Sequence, residues 1–227
     1  MYGKIDENNN IIYAPKDYKT DTEYILNFNL NEEIMKEHGF KNVIELTPVY
    51  NPNYQYITKN NPVDKGEYIE LSYNVIDMDL DVLKTNKILE SKKELANYLE
   101  THPLYSTAKY PEGRFYNVTS EKQQQLTSKM LIANGYIMAG LPYTVTWNDT
   151  GLVCEPWTMT ELTQLSFEID GYVTPLVKHQ QEMEVEIKAK ETAKEVYEFV
   201  ISYNEVFKNK TQSTTIEVDQ SIKDAEE

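Results

Sequence analysis

The sequence predicts an α+β protein in which a small β-rich N-terminal module precedes a mainly helical C-terminal module with one β-hairpin and a long kinked helical hairpin. Three observations indicate this class. The first part of the chain is rich in Tyr, Asn and Pro, and its apolar residues alternate over short runs, as in strands. From Asp79 onward apolar residues recur every three or four positions, as in amphipathic helices. Between two of these helices, YTVTW and LVCEPW flank an NDTG turn and are typical of a β-hairpin.

The N-terminal module is predicted to contain several strands and one short helix. Asn31 is placed to cap this helix, and Gly39 is placed to end it. Residues 50–62 contain Pro52 and Pro62, which punctuate a predicted loop. Four alternating runs are predicted to be strands: YGKI, IIYAP, NVIEL and YIELSYNVI.

Two amphipathic helices are predicted in the middle of the chain. The first extends from Leu80 to about Glu100. The second begins at Ser120, which forms a capping box with Gln123, and ends at Gly140. The segment HPLYSTAKYPEG between the two helices is predicted to be a loop, because Pro103 and Pro111 lie near its ends. The predicted apolar stripe of the second helix consists of Leu126, Met130, Leu131, Ala133 and Ile137.

The last two predicted helices form the kinked helical hairpin. Thr158 and Glu161 make a capping box that begins the first helix, and Thr192 and Glu195 make another that begins the second. Thr174-Pro175 should kink or restart the first helix, because proline has no N–H to donate. Its apolar face is predicted to continue through Val185, and the second helix is predicted to include VYEFVISYNEVF.

These elements divide the chain into four segments. They are a β-rich module (1–75), a helix with a connecting loop (76–118), a helical domain with the hairpin (119–204) and a charged tail (205–227). The tail is polar enough to be mobile or dependent on a partner for its order.

The charge balance limits the classes of partner. The chain has 22 Lys and Arg against 37 Asp and Glu, a formal net charge of −15. Such a surface repels nucleic-acid phosphates and anionic membranes, so we expect no direct nucleic-acid or membrane binding. An acidic protein can instead fill a basic nucleic-acid groove on another protein, and this alternative stays open. The 18 tyrosines suit half-buried surfaces and interfaces.

No constellation in the sequence indicates catalysis, and we predict no catalytic, cofactor-binding or metal-binding residue. The histidines are dispersed, and the usual nucleotide, hydrolase and zinc motifs are absent from the sequence. The run DMDLD resembles the start of a calcium loop, but Val82 and Ile88 occupy the positions that need glycine and glutamate. The only cysteine, Cys154, is predicted to be a small buried or edge residue without a partner.

Residues 119–203 resemble an uncharacterised C-terminal domain family of tail-fibre, tail-fibre-assembly and baseplate-region proteins of tailed bacteriophages. The resemblance rests on TSEKQQQLTSKML, VTWNDTGLVCEPWTMTELTQL and YVTPLVKHQQEMEVEIKAKETAKEV. The opening MYGKIDENNNIIYAPKD also looks like the start of small proteins encoded among phage tail genes. The structural or interaction candidates within the matching block are Trp147, Trp157, Thr158, Glu161, Gln180, Gln181, Thr192 and Glu195.

The resemblance implies where the protein acts and what it binds, but it implies no reaction. We expect a non-enzymatic tail-associated protein, either a structural component near the fibre or baseplate or a chaperone for fibre assembly. Its partners would be other tail proteins and further copies of itself, because tail parts have rotational symmetry. It would be found in the virion tail or in the host cytoplasm during assembly, since no signal peptide begins the sequence. The alternative is an acidic phage-encoded inhibitor of a host defence or nucleic-acid-binding enzyme.

Overall fold

The computed structural model describes residues 1–207, and over this range the chain has mixed α and β content, which confirms the predicted α+β class. The chain forms two compact units: the first is Met1–Leu83 and the second begins at Lys84. The division into four segments made from the sequence stays a prediction. From residue 208 on, the predicted tail lies outside the described residues.

The first unit is built from eight strands, one short α-helix and a 3-10 helical turn at Phe28–Leu30. The strands are β1 (Tyr2–Ile5), β2 (Ile11–Tyr13), β3 (Tyr18–Lys19), β4 (Tyr24–Ile25), β5 (Lys41–Leu46), β6 (Gln55–Lys59), β7 (Val63–Asp64) and β8 (Tyr68–Asp77). Six of them form one sheet in the order β2-β1-β5-β8-β6, with β7 also paired to β8. β5 and β8 are parallel, and the other pairs in the sheet are antiparallel. The four predicted strands are therefore confirmed.

The predicted loop over residues 50–62 is wrong, because β6 lies inside it. Five residues of β6 pair antiparallel with the end of β8, from Gln55 opposite Asp77 to Lys59 opposite Tyr73. The two prolines that suggested a loop, Pro52 and Pro62, flank the strand and remove no hydrogen bond from it. Pairing with a distant strand thus determines the conformation of Gln55–Lys59, although the prolines on either side favour irregular structure.

The short helix α1 (Glu32–Glu37) has the predicted ends. The side chain of Asn31 accepts a hydrogen bond from the Ile34 amide at 3.2 Å, and Gly39 after the helix has φ of +77°. A small core of Phe28, Met35 and Phe40 lies beside this helix.

The second unit contains three long helices, one short helix and two small hairpins. In chain order its elements are α2 (Leu80–Thr101, which begins at the end of the first unit), β9 (Leu104–Ser106), β10 (Arg114–Tyr116), α3 (Ser120–Met138), β11 (Val145–Trp147), β12 (Glu155–Trp157), α4 (Met159–Ala189) and α5 (Ala193–Glu198). β9 pairs with β10, and β11 pairs with β12. α2 matches the predicted helix. The β9–β10 hairpin was predicted to be loop, because its strands are too short to show alternation.

The core of this unit is centred on α4. A stripe at three- and four-residue intervals faces inward, as the apolar period of the sequence predicts. Val185 does not join it, since 67% of its surface is exposed. The buried residues of α4 are Leu162, Leu165, Ile169, Val173, Leu176, Gln180, Met183 and Ile187.

α4 is one continuous helix of 31 residues with Pro175 inside it, so the predicted restart at Pro175 is wrong. Proline cannot donate to the carbonyl of Gly171 four residues earlier. Burial continues on both sides of the proline, at Val173 and Leu176, and we infer that this packing holds the helix together across the missing bond. The second helix of the predicted helical hairpin is wrong beyond Glu198, where α5 ends, and residues 199–203 are not helical.

The N-cap of α3 lies one residue earlier than predicted. Thr119, not Ser120, is the N-cap, and its hydroxyl accepts a hydrogen bond from the Lys122 amide at 3.4 Å. The Gln123 side chain donates to the Val118 carbonyl at 2.7 Å instead of closing a capping box. The two hydroxyl residues are adjacent, so the sequence alone could not choose between them. Among residues 1–207, no helix has the length and apolar character needed to cross a membrane.

Candidate functional site

The stretch from Trp147 to Trp157 forms a hairpin with a wide loop rather than a tight turn. Val145 pairs with Trp157 and Trp147 pairs with Glu155, which leaves residues 148–154 in the loop. The Asn148 side chain holds this loop by donating to the carbonyls of Asp149 and Leu152, both at 3.1 Å. Cys154 was predicted to be a small buried or edge residue. The prediction of burial is wrong, because Cys154 lies exposed in the loop.

Both tryptophans pack in the core of the second unit. Trp147 and Trp157 are 4% and 6% exposed. The ring of Tyr116 meets Trp157 edge-on, with 5.6 Å between ring centroids. The ammonium of Lys122 lies 5.5 Å from the centre of the Trp147 ring, and such a cation–π contact stabilises the buried ring. The two tryptophans therefore stabilise the fold rather than offer a contact surface.

Charged and aromatic side chains from residues 109–114 attach this hairpin to the rest of the unit. Arg114 lies over the Tyr110 ring at 3.6 Å and pairs with Asp149 at 3.1 Å. Lys109 donates to the Pro156 carbonyl at 2.8 Å.

Glu155 completes the contact. The Tyr110 hydroxyl donates to its carboxylate, and this bond, with Lys109 nearby, lowers the pKa of Glu155. The segment that was predicted to be a loop thus holds the hairpin in place.

The predicted capping residues make the bonds that their spacing indicates. Thr158 accepts from the Glu161 amide at 3.2 Å, and Glu161 accepts from the Thr158 amide at 2.7 Å. Thr192 and Glu195 repeat this exchange at α5, at 3.2 and 3.0 Å. These four residues thus fix the beginnings of α4 and α5.

Gln180 and Gln181 lie in different environments. Gln180 is 5% exposed and donates to the Ser91 hydroxyl at 3.1 Å and to Glu184 at 2.9 Å. Ser91 is fully buried, and its carbonyl accepts a bond from the Tyr203 hydroxyl at 2.7 Å. This network joins α2, α4 and the segment after α5. The next residue, Gln181, is exposed.

Glu184 at the edge of this network is held as a carboxylate. The bond from Gln180 lowers its pKa, and the ammonium of Lys92, 2.9 Å away, adds to the effect.

The acidic run DMDLD has local structural roles. The Asp79 side chain accepts a hydrogen bond from the Val82 amide at 2.9 Å at the beginning of α2, and Asp77 accepts one from Gln55 at 2.8 Å. Within residues 1–207, no three His, Cys, Asp or Glu side chains converge in a way that could hold a metal ion.

The end of α3 carries a cluster of exposed apolar residues. The predicted stripe is wrong at Leu131 and Ile137, which are 73% and 59% exposed, although Leu126 and Ala133 are buried. We define the α3 apolar surface as Leu131, Ile132, Tyr136, Ile137, Met138, Leu141 and Tyr143, all of which are exposed. Monomeric proteins rarely expose a contiguous patch of this kind unless it binds a partner.

This part of α3 is exposed on every side. All residues from Asn134 to Thr144 are exposed, and five successive helical residues already cover more than a full turn. The helix nevertheless ends in an ordered way. The amides of Gly140 and Leu141 donate to the carbonyls of Ile137 and Tyr136 at 3.1 and 3.0 Å, which is a Schellman motif with Gly140 at φ of +66°.

The loop after α3 folds back onto the helix end. The Tyr143 ring stacks on Tyr136 with centroids 4.6 Å apart. A shallow groove of about 340 Å³ runs along this helix end, lined by Ile132, Gly135, Tyr136, Ala139 and Leu141. The exposed side chains and the groove thus lie together at this helix end.

A sequence signal for this surface existed. From Met130 to Asn148 the chain contains no charged residue, although 26% of all its residues are charged. The periodicity of the run favoured a buried stripe. Its apolar residues nevertheless occupy every side of the helix, and a single core cannot cover all of these sides. The sequence candidates and this surface are therefore different sets of residues.

Seven of the eight sequence candidates make contacts that stabilise the second unit, whereas the α3 apolar surface lies on and just after α3, which packs on β11 and α4. Apolar side chains without charged neighbours favour binding of another protein surface over a polar small molecule. No family model, curated protein or solved structure matches this chain.

Proposed function

We propose that this protein is a non-enzymatic, tail-associated protein of a tailed bacteriophage, which acts by binding other proteins. It would be a structural component near the fibre or baseplate, or a chaperone that helps the fibre to fold and attach. The observation that carries the binding role is the α3 apolar surface. The phage assignment rests on the resemblance of residues 119–203, a block that contains this surface.

The chemistry of the surface supports a protein partner. Its seven side chains are aliphatic, aromatic or thioether groups, and aromatic residues and Met are enriched in protein interfaces. The helix end is held by its Schellman motif before any partner binds, which lowers the entropy cost of association.

The alternative of an acidic inhibitor receives less support. Acidic mimicry needs a surface of one sign, but the carboxylates along α4 and α5 are interspersed with lysines. Lys92 and Lys188 both pair with Glu184, at 2.9 and 3.6 Å, and Lys194 pairs with Glu198 at 3.8 Å.

The test is made in a tailed phage that carries the gene. Phage with Met138→Glu in this protein are compared with phage carrying Val185→Glu, which adds the same charge at another exposed apolar position. We expect Met138→Glu to reduce infectivity and to deplete fibre or baseplate proteins from purified virions, whereas Val185→Glu does neither.

Mass spectrometry of purified wild-type virions then separates the two roles. A structural component is retained in the particles, and a chaperone is absent from them while fibre attachment still requires it. If deletion of the gene leaves the tails complete and infectious, the proposal of a tail function is wrong.

A further inference from the structure

We propose that the α3 apolar surface binds the same surface of a second copy of this chain, so that the protein is a dimer with two-fold symmetry. The inference deepens the proposed function, since both require this surface to be an interface. The inference names the molecule that binds the α3 apolar surface, whereas the proposed tail function alone does not.

Charge favours a second copy at this position. Two chains that each carry a formal charge of −15 repel one another, and this repulsion is weakest where neither presents carboxylates. The run from Met130 to Asn148 is free of charged residues, and symmetric pairing places it against itself. Such a contact brings no like charges together and buries no unpaired ion.

The helix end carries both projecting side chains and a groove. Leu131 and Met138 project into solvent with 73% and 88% of their surface exposed. The shallow groove lies on the same helix end, and at its centre a Cβ on Gly135 would meet no atom within 4 Å. A two-fold axis allows a projecting side chain of each copy to enter the groove of the other, which is the arrangement of an isologous interface.

The exposed area is sufficient for a stable contact. The exposed fractions of the seven side chains, between 40% and 88%, correspond to roughly 800 Å² per copy, close to the ~800 Å² that each partner buries in a standard interface. A helix end exposed on all sides also gives an antiparallel partner helix room to approach without moving the rest of the unit.

The experiment measures the mass of the full-length protein in reducing buffer. Size-exclusion chromatography with light scattering and sedimentation equilibrium are run from about 1 to 100 µM, because standard interfaces begin in the micromolar range. We expect a reversible monomer–dimer equilibrium. Met138→Glu should raise the dissociation constant at least about tenfold, since it places a carboxylate in an apolar contact.

Two further variants make the result specific. Val185→Glu replaces another exposed apolar side chain of the same unit with the same charge, and it should leave the dissociation constant unchanged. Gly135→Gln places a larger residue that favours helix in the groove, at a position where a Cβ meets no atom within 4 Å in the monomer. It should weaken the dimer while the urea-unfolding transition of the monomer stays in place or moves to higher urea.

Three outcomes overturn the inference: a monomer at every concentration, an oligomer larger than a dimer, or a dimer that Met138→Glu and Gly135→Gln leave intact. A monomeric protein whose Met138→Glu variant still fails in phage would mean that another protein occupies the surface. The proposed tail function would then stand without the dimer, so the two failures are distinguishable.

Discussion

Thr158 and Thr192 each begin a helix with the same pair of hydrogen bonds. Each hydroxyl accepts from the backbone of a glutamate three residues later, and that glutamate accepts from the threonine amide. Both partners lie within four residues of chain, so the bonds depend little on tertiary structure. For this reason the sequence predicted them correctly, residue by residue.

Thr158→Ala should lower the free energy of unfolding of the second unit by about 1 kcal/mol, because the Glu161 amide loses its acceptor. Thr160→Ala is the matched control, since Thr160 is an exposed residue in the first turn of the same helix. Urea unfolding followed by circular dichroism measures both. Equal effects of the two substitutions would contradict the capping role of Thr158.

Gln180 and Gln181 offer a second comparison between adjacent residues. Gln180→Ala should lower the free energy of unfolding by about 1–3 kcal/mol, because it removes buried hydrogen bonds to Ser91 and Glu184. Gln181→Ala should change it by less than about 0.5 kcal/mol, as is usual for an exposed side chain. The measurement is urea unfolding at neutral pH. A larger loss from Gln181→Ala would show that the network does not stabilise the unit.

At the scale of elements, helices with strong local signals and four strands of the first unit were predicted, whereas β6 and the β9–β10 hairpin were not. α1, α2 and the beginning of α4 follow from caps and apolar period. β6 and the β9–β10 hairpin form because each strand hydrogen-bonds to a partner strand, β8 for β6 and β10 for β9. The local composition of these segments does not predict such pairing. The continuity of α4 through Pro175 was missed for the related reason that packing overrides a local helix breaker.

α4 provides the prediction at this scale. Pro175→Ala should raise the free energy of unfolding by about 1–2 kcal/mol, because alanine restores an N–H that can donate to Gly171. Lys178→Ala, an exposed position one turn further along the same helix, serves as the control and should change it by less than about 0.5 kcal/mol. Loss of stability in Pro175→Ala would mean that packing of the proline ring outweighs the missing hydrogen bond.

At the scale of the whole molecule, the acidic charge and the tyrosine content have separate consequences. The net charge of −15 makes copies of the chain repel one another, and this repulsion is weakest at uncharged surfaces such as the end of α3. The sequence indicated that this protein binds other proteins, yet it did not locate the surface. Whether an apolar run faces a core depends on how far that core extends, and this is a property of the packed molecule.

Three tyrosines make the second unit sensitive to alkaline pH. Burial raises the pKa of Tyr116, Tyr172 and Tyr203 to about 12. Since the unfolded pKa is about 10, the folded state favours the neutral hydroxyl. The resulting stability is complete below pH 10 and is lost as pH rises from about 10 to 12.

Urea unfolding at a series of pH values checks this prediction, with tyrosinate absorbance recorded in parallel. We expect the unfolding midpoint to fall steeply above pH 10. Tyr116→Phe should reduce that fall without loss of stability at neutral pH, because the Tyr116 hydroxyl has no hydrogen-bond partner among residues 1–207. Titration of all 18 tyrosines near pH 10 with the fold intact would contradict the assignment.

The wide loop between β11 and β12 has a practical consequence. It exposes Cys154, and the sequence contains one cysteine, so a thiol-reactive fluorophore will label the native chain at a single known position. Energy transfer between donor-labelled and acceptor-labelled copies can then report their distance without any engineered residue. The same thiol can also join two chains in air-oxidised samples and give a covalent pair unrelated to α3.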